Sequence, residues 1–395
     1  MSRKFEPEPV FARLARMIAP GRALRRRFPL EPGVAFLNHG SYGAAPRAVL
    51  AEAARWRARM DANPDRFFRE ILPGALRSAA ARLARFLNSR AEDLVFVENA
   101  TTGVNAVLRS LELRRGDEIL ANSHTYGAVR QAIRHACVQA GAKLVEAGID
   151  LPVPDGKYLE EQIVQAIGPR TRLVVLDHVA SPTGLVFPVK RIAALARRRG
   201  ARVLVDGAHA PGQIALDLPS LGADWYAGNC HKWLFAPKGC GFLWARREAQ
   251  RGLHPPVISH GYGQGFTAEF DWTGTRDFSA WLAVTSALDF YLSLGPERLR
   301  IRNHQLAVHA AERIARAWGT QTDGPPELHG AMMAIRLPGR LQRREPARLM
   351  AELLRRHRVV VAVMPVAGGL WARISAQGYN APADYYRLLA AVGRG

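Results

Sequence analysis

Short apolar runs alternate with amphipathic stretches through the middle of the chain. The runs Leu94-Val95-Phe96-Val97, Glu118-Ile119-Leu120-Ala121 and Lys143-Leu144-Val145 read as strands, as do Leu173-Val174-Val175-Leu176, Arg202-Val203-Leu204-Val205 and Gly241-Phe242-Leu243-Trp244. Helical periodicity between them predicts helices over 104–111, 126–140, 159–167 and 189–199. Continuous apolar runs of this length suit strands buried on both faces, as in parallel sheets. Their alternation with helices predicts an α/β fold with a mainly parallel sheet covered on both sides. Ligands on such sheets gather at the carboxyl ends of the strands.

The flanks have a different texture. Residues 1–30 read as a short helix and an arm rich in Arg and Pro, and 38–43 (Asn38-His39-Gly40-Ser41-Tyr42-Gly43) as a glycine-bearing loop. The stretch 45–87 is helical, with breaks expected at Pro64 and Pro73. A glycine- and aromatic-rich loop system is predicted over 254–277 and a helix over 281–294, before an α+β tail from about 298. These changes divide the chain into an N-terminal arm packing with the smaller domain (1–45), a large domain (46–296) and a small C-terminal domain (297–395).

Composition narrows the function classes. No apolar stretch approaches the roughly 18 residues of a membrane span, and the first residues lack the apolar core of a signal peptide. Cys137, Cys230 and Cys240 form neither a disulfide framework nor a metal-type spacing, so no metal and a reducing cytoplasm are expected. The formal charge is +21, but the arginines are spread in short clusters along the whole length. That distribution predicts solvated helix faces rather than a nucleic-acid surface, with a field that attracts phosphates and carboxylates.

Against that arginine background, lysine is scarce: six of the 55 basic residues are lysine, namely Lys4, Lys143, Lys157, Lys190, Lys232 and Lys238. Arginine stays protonated and cannot form an imine at neutral pH. Lys232 stands between His231 and Trp233, after Asp206-Gly207-Ala208-His209 at the end of an apolar strand. A strand-end acid and a lone lysine on a following loop suit an aldehyde cofactor with a ring nitrogen. The segment Asn99-Ala100-Thr101-Thr102-Gly103 follows a strand and opens a helix, where free N–H groups and hydroxyls can hold an anion.

In these motifs the chain resembles the class V aminotransferase superfamily of fold-type I pyridoxal-phosphate enzymes, and most of all its isopenicillin N epimerase-like branch. The resemblance runs from Asn38 to Asn380. It implies that Lys232 binds the aldehyde of pyridoxal 5'-phosphate, that Asp206 pairs with the ring nitrogen and that His209 bonds the phenolic oxygen. Ala100, Thr101, Thr102, Asn229 and His231 would surround the phosphate, although many relatives carry serine at the Asn229 position. Tyr126 would stack on the ring, and Ser181 would lie beside it on a loop where relatives often have asparagine. Thr275 would reach the phosphate of a neighbouring subunit, implying a homodimer with shared sites. Arg373, in Arg373-Ile374-Ser375 followed by Tyr379-Asn380, would grip the substrate carboxylate, with Asn38 and His39 nearby.

The resemblance leaves the reaction among three. Epimerisation needs a second acid, for which His39 or Tyr126 could serve. A Cβ–S lyase or other β-eliminating enzyme needs only Lys232 and a leaving group on Cβ. Transamination remains the alternative within the superfamily, and a nucleic-acid-binding protein on the same fold is the remote one. Cysteine desulfurases of this superfamily carry a cysteine on a late loop, and here none follows Cys240. In every reading the partner is a small amino-acid substrate.

Overall fold

The computed structural model describes residues 21–393; the portion of the predicted arm at 1–20 lies outside them. Strands in chain order are β1 (Ala35–Phe36), β2 (Leu94–Val97), β3 (Glu118–Asn122), β4 (Lys143–Ala147), β5 (Thr171–Asp177) and β6 (Arg202–Gly207). They continue as β7 (Trp225–Asn229), β8 (Gly241–Ala245), β9 (Met332–Arg336), β10 (Val359–Val360), β11 (Ala362–Val366) and β12 (Gly369–Ser375). Seven of them form one sheet in the order β2-β8-β7-β6-β5-β3-β4. Strand β8 runs antiparallel to both of its neighbours, and the other pairings are parallel. The sheet is therefore mainly parallel, and the six predicted runs lie on six of its strands.

Strand β7 escaped the sequence reading because Gly228 and Asn229 blunt its apolar pattern. Packing explains the glycine: a Cβ at Gly228 would lie 2.5 Å from the Phe242 ring on the adjacent strand. Two apolar clusters cover the two faces of the sheet, one built on Leu83, Val174, Val205 and Phe242, the other on Val104, Ile133, Val175 and Leu243. Side chains alternate across a strand, so Val174 and Val175 enter opposite clusters.

The helices are α1 (Arg47–Ala62), α2 (Leu72–Phe86), α3 (Ala100–Arg109), α4 (Gly127–Ala140), α5 (Gly156–Gln165) and α6 (Val189–Arg198). Four departures from the expected boundaries have local causes. Pro64 breaks the first long helix, but Pro73 lies in the first turn of α2, where its missing N–H has no intrahelical partner to lose. Helix α3 begins four residues before the predicted start because the Asn99 side chain caps it, accepting from Thr102 N–H at 3.0 Å. The 254–277 stretch is not all loop: Phe266–Asp271 is helical, and Phe266 and Phe270, one turn apart, are both buried. The predicted 281–294 helix is two pieces, Ser279–Leu282 and α7 (Val284–Ser293).

Beyond α7, the helix α8 (Pro296–Trp318) leads to an antiparallel sheet in the order β11-β12-β9, packed by α9 (Pro346–His357) and α10 (Pro382–Gly393) around a third cluster. Strand β1 pairs in parallel with β10, tying residues 35–36 to residues 359–360. The N-terminal loop therefore packs with the C-terminal part of the chain, next to β12 and its Arg373.

Gly207, at the end of β6, has no room for a side chain: a Cβ there would lie 2.0 Å from the Tyr226 ring. Gly207→Ala is expected to cost about 1–3 kcal/mol through overpacking, read as a lower midpoint in urea unfolding with unchanged slope.

Candidate active site

Parallel strands β5 and β6 end side by side, and their last acids face one cavity. Asp177 and Asp206 are register partners across the strands. Both are buried, and both line a cavity of about 430 Å³. The cavity also collects Ala100, Thr101, Thr102, Tyr126, Ser181, His209, Asn229, His231 and Lys232. Ten of the residues expected at the cofactor thus meet in one place, although they span 133 positions from Ala100 to Lys232.

The turn after β7 carries Lys232. Its Nζ lies 3.1 Å from His209 Nε2. Burial pulls the amine down to about 7, while the Asp206 carboxylate pulls the other way and Arg373 adds to the lowering. Burial also holds His209 neutral, well below the usual histidine range, with the Lys232 charge assisting. The His209 Nδ1 is buried with no hydrogen-bond partner. Asp206 accepts the Ala208 N–H at 3.0 Å, and burial raises its carboxyl while Lys232 opposes the rise. A buried acid and an orphaned ring nitrogen, both beside a partly neutral amine, are the donor set that a pyridine aldehyde requires.

The opposite wall is an anion site. Asn229 Oδ1 accepts from Ala100 N–H at 2.8 Å and so fixes the start of α3. That bond gives Asn229 a second duty besides its expected place near the phosphate. Thr101 keeps its side chain at the cavity, on the first turn of a helix whose positive end faces inward. His231 Nδ1 donates to the Cys240 carbonyl at 3.0 Å, leaving Nε2 as the free ring position. Burial, then the Lys232 charge, lowers His231 to about 4. These residues fit a phosphate together with the aldehyde ring.

Arg373 lies buried on β12. Its Nη2 donates to Ser41 Oγ at 2.9 Å and to Asn38 Oδ1 at 3.1 Å, and Nη1 bonds the Ser181 carbonyl. Its Nε has no partner. A buried guanidinium held by neutral acceptors retains its charge for an incoming anion. Ser41, in the glycine-bearing loop quoted above, was not singled out from the sequence, because nothing local shows that it will meet an arginine more than three hundred residues later.

Two expected residues lie elsewhere. His39 is fully buried behind the lysine turn, its Nε2 3.0 Å from the Lys232 carbonyl and its Nδ1 2.8 Å from Tyr379 Oη. Burial lowers it to about 3, so its ring is held neutral where it braces the lysine turn. Thr275 lies in a separate cavity with Asp65, Arg69, His260 and Trp272. The loop packing is close: at Gly43 the backbone φ is +66°, and a Cβ would sit 2.0 Å from the His231 carbonyl oxygen. Tyr126 is 44 % exposed at the start of α4, with its ring at the cavity.

Since Lys232 loses its proton near pH 7, its amine is expected to react with acylating reagents from about that pH upward. Peptide mapping of cofactor-free protein across pH 6–9 checks this: the half-labelling pH of Lys232 should fall near 7.

Comparison with known proteins agrees with this site. The family profile described as Aminotransferase class-V matches residues 42–363. An isopenicillin N epimerase of Amycolatopsis lactamdurans is 40% identical over 390 residues, covering 93% of this chain and 96% of its own. An L-cysteine desulfhydrase of Arabidopsis thaliana is 31% identical over 398 residues, covering 92% of this chain and 88% of its own. Among solved structures, a cysteine desulfurase from Thermococcus onnurineus NA1 superposes with a TM-score of 0.77 at 19% identity, over 94% of this chain and 97% of its own. That last likeness establishes the fold, which is fold-type I. With a lysine, an acid and an anion-binding helix end assembled in one cavity, and with the profile and the relatives in agreement, the chain belongs to the class V aminotransferase family of pyridoxal-phosphate enzymes.

Proposed function

We propose that this protein acts at Cα of an amino acid or amino-acid derivative, and that its reaction is elimination of a sulfur leaving group from Cβ. The observation that carries the reading is Lys232: an amine lowered to about 7, buried beside Asp206 in a cavity whose lining residues Ser41 and Ser181 bond the buried Arg373. Pyridoxal phosphate, when bound, supplies a sink for the electron pair left at Cα. Lys232 would bind its aldehyde, and the same amine, when free, would take the Cα proton. Asp206 would pair with the ring nitrogen, His209 would bond the phenolic oxygen, and Thr101, Thr102, Ala100, Asn229 and His231 would hold the phosphate. Tyr126 and Ser181 line the ring, and Arg373 with Asn38 grips the carboxylate. For a cysteine-type substrate the balance is amino acid plus water to keto acid, ammonia and thiol, with no redox change.

Epimerisation is the second reading, supported by the epimerase relatives. It needs a donor on the face opposite Lys232. Of the two candidates, His39 is buried behind the lysine turn, so we assign that task to Tyr126. Elimination asks for no such donor, and for that reason we place it first. Transamination stays as the family alternative.

The rest of the reading concerns assembly. We read 46–296 as the cofactor lobe and 297–395 as the smaller one. Thr275, set in its own cavity of about 600 Å³ away from Lys232, fits service to a second subunit and hence a homodimer. Among the described residues no helix is long and apolar enough to cross a membrane. We read the chain as cytoplasmic and without a nucleic-acid partner, its arginines being spread over the surface, some of them in ion pairs such as Arg69–Asp65 and Arg191–Glu160.

Purified protein reconstituted with the cofactor should show the violet absorption of a lysine-bound aldehyde, and Lys232→Ala should lose both the band and turnover. Arg373→Ala should raise KM for the amino acid by about a hundredfold, the loss of a charge-assisted pair. Incubation with an amino-acid panel in deuterated water separates the reactions. Keto acid with ammonia supports elimination, exchange with inversion supports epimerisation, and a chain that stays colourless after reconstitution overturns the proposal.

A further inference from the structure

Asp177 is the one buried ionisable group in the cavity wall with no task in the reading above. It is 3% exposed, ends β5, and lies in register beside Asp206 at the end of β6. Its Oδ2 accepts from Asn122 Nδ2 at 2.9 Å and from Thr125 Oγ1 at 3.2 Å, and the Tyr126 N–H adds a third donor. Thr125 Oγ1 is itself set by the Asn122 N–H at 3.2 Å, and Asn122 Oδ1 takes the His124 N–H at 2.8 Å. The turn between β3 and α4, which ends in Tyr126, therefore hangs from one carboxylate.

We propose that Asp177 is a positioning residue that sets a second carboxylate behind Asp206, strengthening the acid's hold on the cofactor's ring nitrogen while suspending the turn that carries Tyr126. Three donors converging on one carboxylate prepare it to carry negative charge, yet no arginine or lysine pairs with it among the described residues. Two buried acids without a full counter-charge repel each other. Burial, and then Asp206, raise Asp177 to about 7. A cationic ring nitrogen bound at Asp206 relieves that repulsion, so the pair favours the protonated ring over the neutral one. The other ionisable groups facing the pair are Lys232 and His209 on the following loops, Arg373 across the cavity, and Tyr226 on β7, whose hydroxyl bonds His178 at 2.9 Å. None of them supplies a second carboxylate.

The inference rests on pyridoxal phosphate being the cofactor, and its test separates the two claims. Asp177→Asn keeps an oxygen for Asn122 and Thr125 but removes the charge. Measured on reconstituted protein, the dissociation constant for the cofactor should rise about tenfold. The pH at which the violet band titrates away should fall by about one unit, since a lost negative charge disfavours the protonated chromophore. Thr125→Val, which keeps the acid and cuts one donor, should move the midpoint in the same direction by about half as much. A purely structural Asp177 would change thermal stability and leave the midpoint in place. Wild type with a normal band beside an Asp177→Asn chain of unchanged midpoint and affinity overturns this role alone. If Asp177→Asn does not fold, an unchanged midpoint in Thr125→Val overturns it. Wild type that takes no cofactor overturns the cofactor reading and this one together.

Discussion

Desolvation of one amine is the constraint around which this structure is arranged. A lysine side chain in water holds its proton to well above neutral pH and is useless as a nucleophile or base. Burying Lys232 beneath the ends of β6 and β7 removes the water that stabilises its charge, and the Asp206 carboxylate returns part of that stabilisation. The balance leaves the amine near the point where it can both lose and regain a proton. Fixing the balance requires the lysine turn to be immobile. The His39 hydrogen bond to the Lys232 carbonyl and the tight approach of Gly43 to the His231 carbonyl hold it from outside the sheet.

The same logic governs the anion sites. Arg373 and the first turn of α3 are prepared for negative charge by neutral partners alone: asparagine, serine and carbonyl oxygens. A buried cation satisfied by a carboxylate would have little left for a ligand. One satisfied by dipoles keeps its charge while its geometry is fixed. The positive balance of the chain adds a diffuse attraction for phosphates and carboxylates, and the selective part lies in these few oriented groups.

Much of the sheet was legible because buried strands and covering helices obey short-range periodicity. Five apolar runs declared themselves directly, four of them buried and the fifth the half-exposed edge strand β4, and β8 did so as a strand though not as an antiparallel one, since direction depends on connections rather than composition. Strand β7 was lost because close packing against Phe242 demands glycine where a strand reading wants a branched residue. The lysine, the acid and the helix end could be picked out because each is unusual in its local setting. Asp177 and Ser41 could not, since their importance lies in what faces them across the fold. The setting of His39 was hidden for the converse reason: its motif lies next to the site, but its ring turns inward to Tyr379.

The parallel pairing of Ala35–Phe36 with Val359–Val360 has a further consequence. It fastens residues 35–36 to the part of the fold that carries the arginine strand, although more than three hundred residues separate them in the chain. Any chimera that exchanges the C-terminal lobe with that of a relative must therefore carry residues 21–45 along with it. A junction drawn only at the long helix near Pro296 would leave the incoming arginine without Asn38 and Ser41, and the lysine turn without the loop that braces it.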